Sequence, residues 1–268
     1  MSSKQEIQKD LVHYIKKINF ILENVKKLQE ETDKKDLNVL DVGCGVGNIS
    51  LEISKLGCKV TGIDIDKESI EYAKKRSIKN CTFLVSNAHS LIIKEKFDVI
   101  ICSEVLEHLK HPERLIEFVS KNIKKSGFVF ISIPNGYGPS ELSVSPRRFI
   151  GKMLKKMHLY DQARNLRHSI VKNPVKKAQD RFGLDTLNAY GEGALHEQFF
   201  SIRSLKRLFN KFNLEIVKRQ NSFILVGTFP FYYLYSRSRS LQEFDCNLAD
   251  HVQAFISSGW SFIVKLKN

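Results

Sequence analysis

At 268 residues, 42% of them hydrophobic and 27% charged, the chain is long enough for one large core or for a domain with an insert, which excludes disordered and fibrous classes. Its longest apolar run, Phe223 to Tyr235, is broken by Gly227, Thr228 and Pro230 and falls short of the roughly 20 residues a spanning helix needs. Forty-three basic residues against 29 acidic give a net charge of +14 and a pI near 9.5, which points to an acidic partner such as nucleic acid, an anionic membrane or a phosphorylated substrate. Cys44, Cys58, Cys81, Cys102 and Cys246 are odd in number, contain no C-x-x-C pair and mostly fall in apolar runs, the pattern of reduced thiols outside disulfides and zinc sites. The opening Met1 to Glu6 has no cationic stretch followed by an apolar one, so a cytoplasmic protein is expected.

Apolar positions Ile7, Leu11, Tyr14, Ile15, Ile18, Leu22, Val25 and Leu28 recur at helical spacing and predict an amphipathic helix over 5–31 that packs on the main domain. An alternation follows: strand 37–42, helix 47–56, strand 58–63, helix 67–78, strand 81–85, a short helical turn, strand 97–102, helix 112–123 and strand 128–133. Strands alternating with helices form parallel βαβ units. Continuous apolar runs such as Phe97 to Cys102 and Phe128 to Ile133 predict strands buried on both faces. Past the break at Pro134–Pro139, a helix is expected over 201–212, a strand over 214–227, a helical stretch near 239–256 and a last strand over 260–266. The closing pair of strands predicts an antiparallel hairpin at the sheet edge. The fold class is α/β, a doubly wound, mostly parallel seven-stranded sheet. Four regions are expected: an N-terminal helix (1–35), a nucleotide-binding domain (36–135), a basic helical insert (136–195) and a C-terminal completion of the sheet (196–268).

The first strand runs into Gly43-Cys44-Gly45-Val46-Gly47 at the start of a helix. Glycines let the backbone approach a ligand, and the N–H groups of a helix start bind its polar end. The second strand ends in Asp64-Ile65, about 20 residues past the glycines, where a carboxylate can accept both hydroxyls of a ribose. The third ends in Asn87-Ala88, and the Asn87 amide can bond an adenine edge. A nicotinamide dinucleotide would require G-x-G-x-x-G, whereas this loop is G-x-G-x-G. With these signals, residues 36–135 resemble the S-adenosylmethionine-binding domain of class I methyltransferases. The resemblance implies that Asp41 and the loop Gly43, Gly45 and Gly47 hold the methionyl part, that Asp64 holds the ribose, and that Asn87 lies beside adenine, where Asp is commoner in the family. Ile65, Ala88 and Ser103 complete the expected cofactor contacts.

The stretch Ser103-Glu104-Val105-Leu106-Glu107-His108 is unusually polar for the C-terminal end of a buried strand, the edge at which α/β sheets carry out chemistry. Methyl transfer from a sulfonium needs an in-line nucleophile that loses a proton, for which a histidine is a natural base. Residues 104, 107 and 108 also fall on one face of a helical turn, where two carboxylates and an imidazole can hold a divalent ion. His196 is the candidate fourth ligand. The E-x-x-E-H pattern resembles two methyltransferase groups, the O-methyltransferases of ubiquinone biosynthesis and the magnesium-dependent enzymes that methylate the 2′-hydroxyl at small-RNA 3′ ends. The second resemblance implies that Glu104, Glu107, His108 and His196 bind magnesium, and Ile133-Pro134-Asn135 also matches it. In a third reading Glu104 contacts cofactor or substrate while Glu107 and His108 only begin a helix.

Residues 139–181 carry eleven basic against three acidic side chains. Within them Phe149, Ile150, Met153, Leu154, Met157 and Tyr160 lie at helical spacing after Ser145-Pro146, with Arg148, Lys152, Lys155 and Lys156 among them. A basic amphipathic helix of this kind lies on an anionic membrane, closes over an active site, packs on its own domain, or joins Arg164, Arg167 and Lys172 in contacting RNA. The sequence therefore predicts a methyltransferase, favoured as acting on oxygen in a small, partly apolar or anionic acceptor, with catalytic residues Glu104 and His108. An RNA 2′-O-methyltransferase is the alternative. A non-catalytic cofactor-binding subunit is the reading from another class, and Glu104, Glu107 and His108 argue against it.

Overall fold

The computed structural model describes residues 12–88, 95–142, 197–225, 228, 231 and 238–267. Within them lie α1 (Val12–Thr32), β1 (Asn38–Val42), α2 (Asn48–Ser54), β2 (Lys59–Asp64), α3 (Lys67–Lys75), β3 (Cys81–Val85), β4 (Phe97–Ser103), α4 (Pro112–Asn122) and β5 (Ile123–Pro134). After the gap come α5 (Ile202–Lys211), β6 (Leu214–Asn221), α6 (Arg239–His251) and β7 (Gly259–Leu266). The strands form one sheet in the order β3-β2-β1-β4-β5-β7-β6. The first five are parallel, and β7 is antiparallel to both β5 and β6.

Strand periodicity decides which side chains go to which layer. Leu40, Val42, Ile100, Cys102, Val129, Ile131 and Ile133 face the layer built on Leu115, Ile116, Leu205 and Phe209 of α4 and α5. Their neighbours Val39, Val99, Ile101, Phe128 and Phe130 face Phe20, Ile21, Val25 and Leu28 of α1 and Ile53 of α2. Both faces of the central strands are therefore covered, the arrangement that parallel pairing demands. Each of the four α1 side chains is nearly inaccessible and contributes about 1.5–3 kcal/mol by leaving water. Lys16 on the same helix pairs with Asp250 of α6 at 2.8 Å and donates to the Cys246 carbonyl, so α1 packs on the domain as expected.

Several expectations shift. The strands at the two edges are not buried on both faces: Leu84 and Val85 of β3 are about half exposed, and β6 exposes Glu215, Val217, Lys218 and Arg219. β5 begins at Ile123 rather than 128, with an irregularity between the pairs Phe97/Ile123 and Val99/Phe128; there Lys124 bonds the buried Asp98 at 2.9 Å, so residues 124–127 belong to the strand. Past Asn221 the Ser222 N–H still reaches the Gly259 carbonyl at 3.0 Å, but those of Ile224 and Leu225 turn to the Asp245 carboxylate of α6 at about 3 Å, so β6 stops short of 227. The closing strands pair antiparallel at the sheet edge as expected, with α6 between them in sequence and β7 on the inner side of β6. The stretch near 239–256 is α6 followed by a 3₁₀ turn at Ala254–Ile256. The short helix after β3, residues 5–11 of the first helix and the whole amphipathic helix 146–160 lie outside the described residues. All five cysteines are free.

Candidate active site

Strand order reverses between β1 and β4, β2 and β3 lying to one side and β5 to the other. A crevice forms at such a switch point, outside the carboxyl ends of the strands. Register brings those ends level: Val42 pairs with Ile63 and Cys102, Asp64 with Val85, and Ser103 with Ser132.

Beyond β1 the chain turns back over β2, and the N–H groups of Gly43 and Cys44 both donate to the Ile63 carbonyl at 2.8 and 3.0 Å. Gly43, Gly45 and Gly47 have φ of 70°, 53° and 76°, a region in which any other side chain is strained. Gly43 is confined as well, since a Cβ there would stand 2.6 Å from Val105 Cγ2. The glycine loop thus packs directly on the segment after β4, which joins the cofactor end of the crevice to its reacting end. At the far end of the loop the Arg76 guanidinium donates to the Val46 carbonyl at 2.6 Å and the Asn48 side-chain oxygen at 3.0 Å.

Asp64 accepts the Gly45 N–H at Oδ2 (2.8 Å) and the Asp66 N–H at Oδ1 (2.9 Å). An ionised carboxylate has about four lone-pair sites, so each oxygen retains one for a ribose hydroxyl. Asp41 is 1% exposed and accepts the Ser50 hydroxyl at 2.7 Å; burial pushes its carboxyl up to about 7 against the pull of that bond. Ile65 offers an exposed apolar side chain just past β2, Asn87 is exposed past β3, and Ala88 packs towards the core. These positions suit the face and edge of a planar base.

At the reacting end Glu104 adopts φ 56°, a conformation that costs a non-glycine residue of order 1–3 kcal/mol and persists only where the surroundings impose it. Its N–H donates to the Ser132 carbonyl at 3.0 Å, and its Oε1 accepts the Ser132 hydroxyl at 2.7 Å. Lys17 Nζ stands 3.6 Å from the same oxygen. Glu107 is 1% exposed; burial, followed by the charge of Glu104, raises its pKa well above the usual carboxylate range. Its main-chain carbonyl accepts the N–H groups of Glu197 and Gln198 at 2.8 and 3.0 Å, which fastens the chain to the crevice just past the insert. His108 is partly exposed, with Nε2 3.8 Å from Glu107 Oε1.

The shared helical face expected for 104, 107 and 108 is not formed. A 3₁₀ turn spans only Leu106–His108, Glu104 precedes it in a left-handed conformation, Glu107 turns inward and His108 faces outward. Among the described residues no three His, Cys, Asp or Glu side chains are arranged to hold a metal, and the fourth candidate, His196, lies outside them. Asn135 is committed to structure: its amide donates to the carbonyls of Phe255 (3.0 Å) and Ser257 (2.8 Å), tying β5 to the approach to β7.

The sequence reading missed three α1 residues at this site. His13 packs against Phe223, with ring centres 5.0 Å apart and Nδ1 out of reach of solvent, and burial, aided by Lys17, lowers its pKa to about 4. Tyr14 is mostly buried within the fields of Asp41, Glu52 and Arg76, and burial raises its hydroxyl pKa. Lys17 lies 5.5 Å from the Tyr14 ring centre and exerts its charge on Asp41 and Glu107 as well as pairing with Glu104. The available signal was His13 and Lys17 at i, i+4 in an amphipathic helix.

A family model described as a methyltransferase domain matches residues 11–219. Among curated proteins, the chain is 38% identical over 126 residues to a ubiquinone biosynthesis O-methyltransferase of Pelagibacter ubique, covering 44% of this chain and 52% of that one. It is 34% identical over 130 residues to the protein of the same name from Colwellia psychrerythraea, again covering 44% and 52%. The chain therefore spans about half the length of the curated relatives it matches. Among solved structures, the magnesium protoporphyrin IX methyltransferase of Synechocystis PCC 6803 superposes with a TM-score of 0.57 at 15% identity, covering 98% of this chain and 87% of that one. This last likeness is one of fold.

Proposed function

The chain belongs to the methyltransferase-domain family, and on that premise we propose that it transfers the methyl group of S-adenosylmethionine to an oxygen of a small, partly apolar or anionic acceptor. The observation that carries the reading is the bond from Gly45 N–H to Asp64 at 2.8 Å: it sets a left-handed glycine loop against a carboxylate aimed into the switch-point crevice. Asp64 would hold the ribose hydroxyls, Ile65, Asn87 and Ala88 would meet the base, and Asp41, Ser103 and the backbone of Gly43, Gly45 and Gly47 would line the methionyl end. Lys17 supplies the positive charge that the amino-acid carboxylate calls for. When bound, the cofactor offers an electrophilic methyl group on a sulfonium.

Around it the chain would do three things. Glu104 orients the acceptor hydroxyl; His108 accepts its proton as the oxygen attacks; the buried Glu107 and the apolar layer beneath it keep bulk water from the departing sulfur. Transfer would exchange the S–CH₃ bond for an O–CH₃ bond, and His108 would keep the proton. A divalent ion on Glu104, Glu107 and His108 does not fit this arrangement, since the Glu104 carboxylate is engaged by Ser132 and Lys17 while Glu107 turns inward and His108 outward. A phenolic acceptor, in keeping with relatives named for ubiquinone biosynthesis, is the first to try.

Labelled S-adenosylmethionine incubated with the chain and cell extract, then separated into lipid, RNA and protein fractions, tests the proposal. Label in the small-molecule or lipid fraction, lost in His108→Ala, is the expected result. Label in RNA alone would replace the acceptor class, and no label in any fraction would overturn the reading.

A further inference from the structure

Ser132 lies in the middle of the sheet, 1% exposed, within the apolar run Phe128 to Ile133. A hydroxyl there needs a partner. It has two: Ser103 Oγ at 2.9 Å on the adjoining strand and Glu104 Oε1 at 2.7 Å. The Ser132 carbonyl also accepts the Glu104 N–H at 3.0 Å. One residue of β5 therefore grips Glu104 through both its backbone and its carboxylate, at the point where the backbone has φ 56°. A strained residue held from two directions has one orientation available to it, which is the condition for a group that must meet a substrate without reorganising.

We infer that Ser132 is a positioning residue: it fixes Glu104 at the reacting edge of the crevice and affects turnover only through that side chain. The inference rests on the proposed role of Glu104 in methyl transfer. Packing alone does not account for the arrangement, because alanine or valine would fill a sheet interior without calling for a carboxylate outside it.

A double-mutant cycle on the full chain tests this, with 3,4-dihydroxybenzoate as the phenolic probe and labelled S-adenosylmethionine as donor. Ser132→Ala should lower kcat on the order of tenfold, the scale of a lost hydrogen bond to a charged group, and leave KM for S-adenosylmethionine within about twofold. In a Glu104→Ala background the same change should have no further effect, since the hydroxyl then has no carboxylate to hold. Equal losses in both backgrounds, or a loss confined to KM for S-adenosylmethionine, would overturn the inference and leave the role of Glu104 intact. Full activity in Glu104→Ala, or no turnover by the unaltered chain, would overturn the role of Glu104 and the inference with it. Where Ser132→Ala fails to fold, Ser132→Cys goes through the same cycle, because its thiol fills similar space but is a weak donor.

Discussion

Asp64 is the residue whose removal should weaken the cofactor most, because it serves two masters: it anchors the Gly45 N–H at 2.8 Å and would accept the ribose hydroxyls. Asp64→Ala should cost a few kcal/mol of S-adenosylhomocysteine affinity by calorimetry, the scale of charge-assisted hydrogen bonds; NADH binding in place of S-adenosylhomocysteine would refute the cofactor assignment. His13 and Asp41 make stability depend on pH in opposite directions. His13 takes up a proton near 6.5 when unfolded but only near 4 when folded, so the unfolded chain binds more protons in between and stability falls as pH drops through that window. Asp41 is raised from 3.8 to about 7, so its unfolded form ionises first and stability falls as pH rises between those values. His13→Phe removes only the first effect: urea unfolding should show the variant losing less stability than the parent between pH 6.5 and 4, by up to ~3 kcal/mol. Parallel pH curves would show that His13 is not held neutral. Asp64 and the glycines were legible because a strand, a loop and a second strand end recur at fixed spacing within one βαβ unit. Lys17 and His13 were not, since their partners Glu104 and Phe223 are brought to them only by the docking of α1.

The glycine loop and the segment after β4 meet where Gly43 packs on Val105. Gly43→Ala would combine a left-handed φ of 70° with a Cβ 2.6 Å from Val105 Cγ2. The variant should be destabilised by about 1–3 kcal/mol and should bind S-adenosylhomocysteine more weakly, since the loop must shift to relieve the contact. Adding Val105→Ala removes the steric part and leaves the backbone strain, so melting curves and calorimetry should show affinity recovering more than stability. Equal recovery of both, or of neither, would mean that the loop and the post-β4 segment are not coupled through this contact. The alternation of β and α was readable here because the apolar runs of the central strands have no competing pattern. The limits of β5 and β6 were not, because they are set by partners distant in sequence: Asp98 draws Lys124 into the sheet, and Asp245 draws off the N–H groups of Ile224 and Leu225. The reacting end was half readable for the same reason, since Glu104, Glu107 and His108 form a plain polar cluster in sequence while the hydroxyl that aims one of them comes from β5.

At the scale of the molecule the dominant fact is a charge of +14, with eleven basic against three acidic residues in 139–181. No helix among the described residues is long and apolar enough to cross a membrane. Two proposals share the same cations: attachment to an anionic membrane that presents an apolar acceptor, and contact with RNA phosphates. They differ in their use of the apolar positions, because membrane insertion depends on buried apolar area whereas phosphate contact depends on charge alone. Four lysines and arginines near an anionic surface contribute about 1 kcal/mol each, enough for reversible binding but not for stable anchoring without an apolar contribution. Replacing Phe149, Met153 and Met157 by serine keeps every cation, so it should abolish co-flotation with phosphatidylserine liposomes and leave retention of single-stranded RNA nearly unchanged. RNA affinity that is tight, that falls with salt at about 0.7 log units per log unit for each phosphate contacted, and that is accompanied by no liposome binding in the unaltered chain would reverse the preference and make RNA the acceptor.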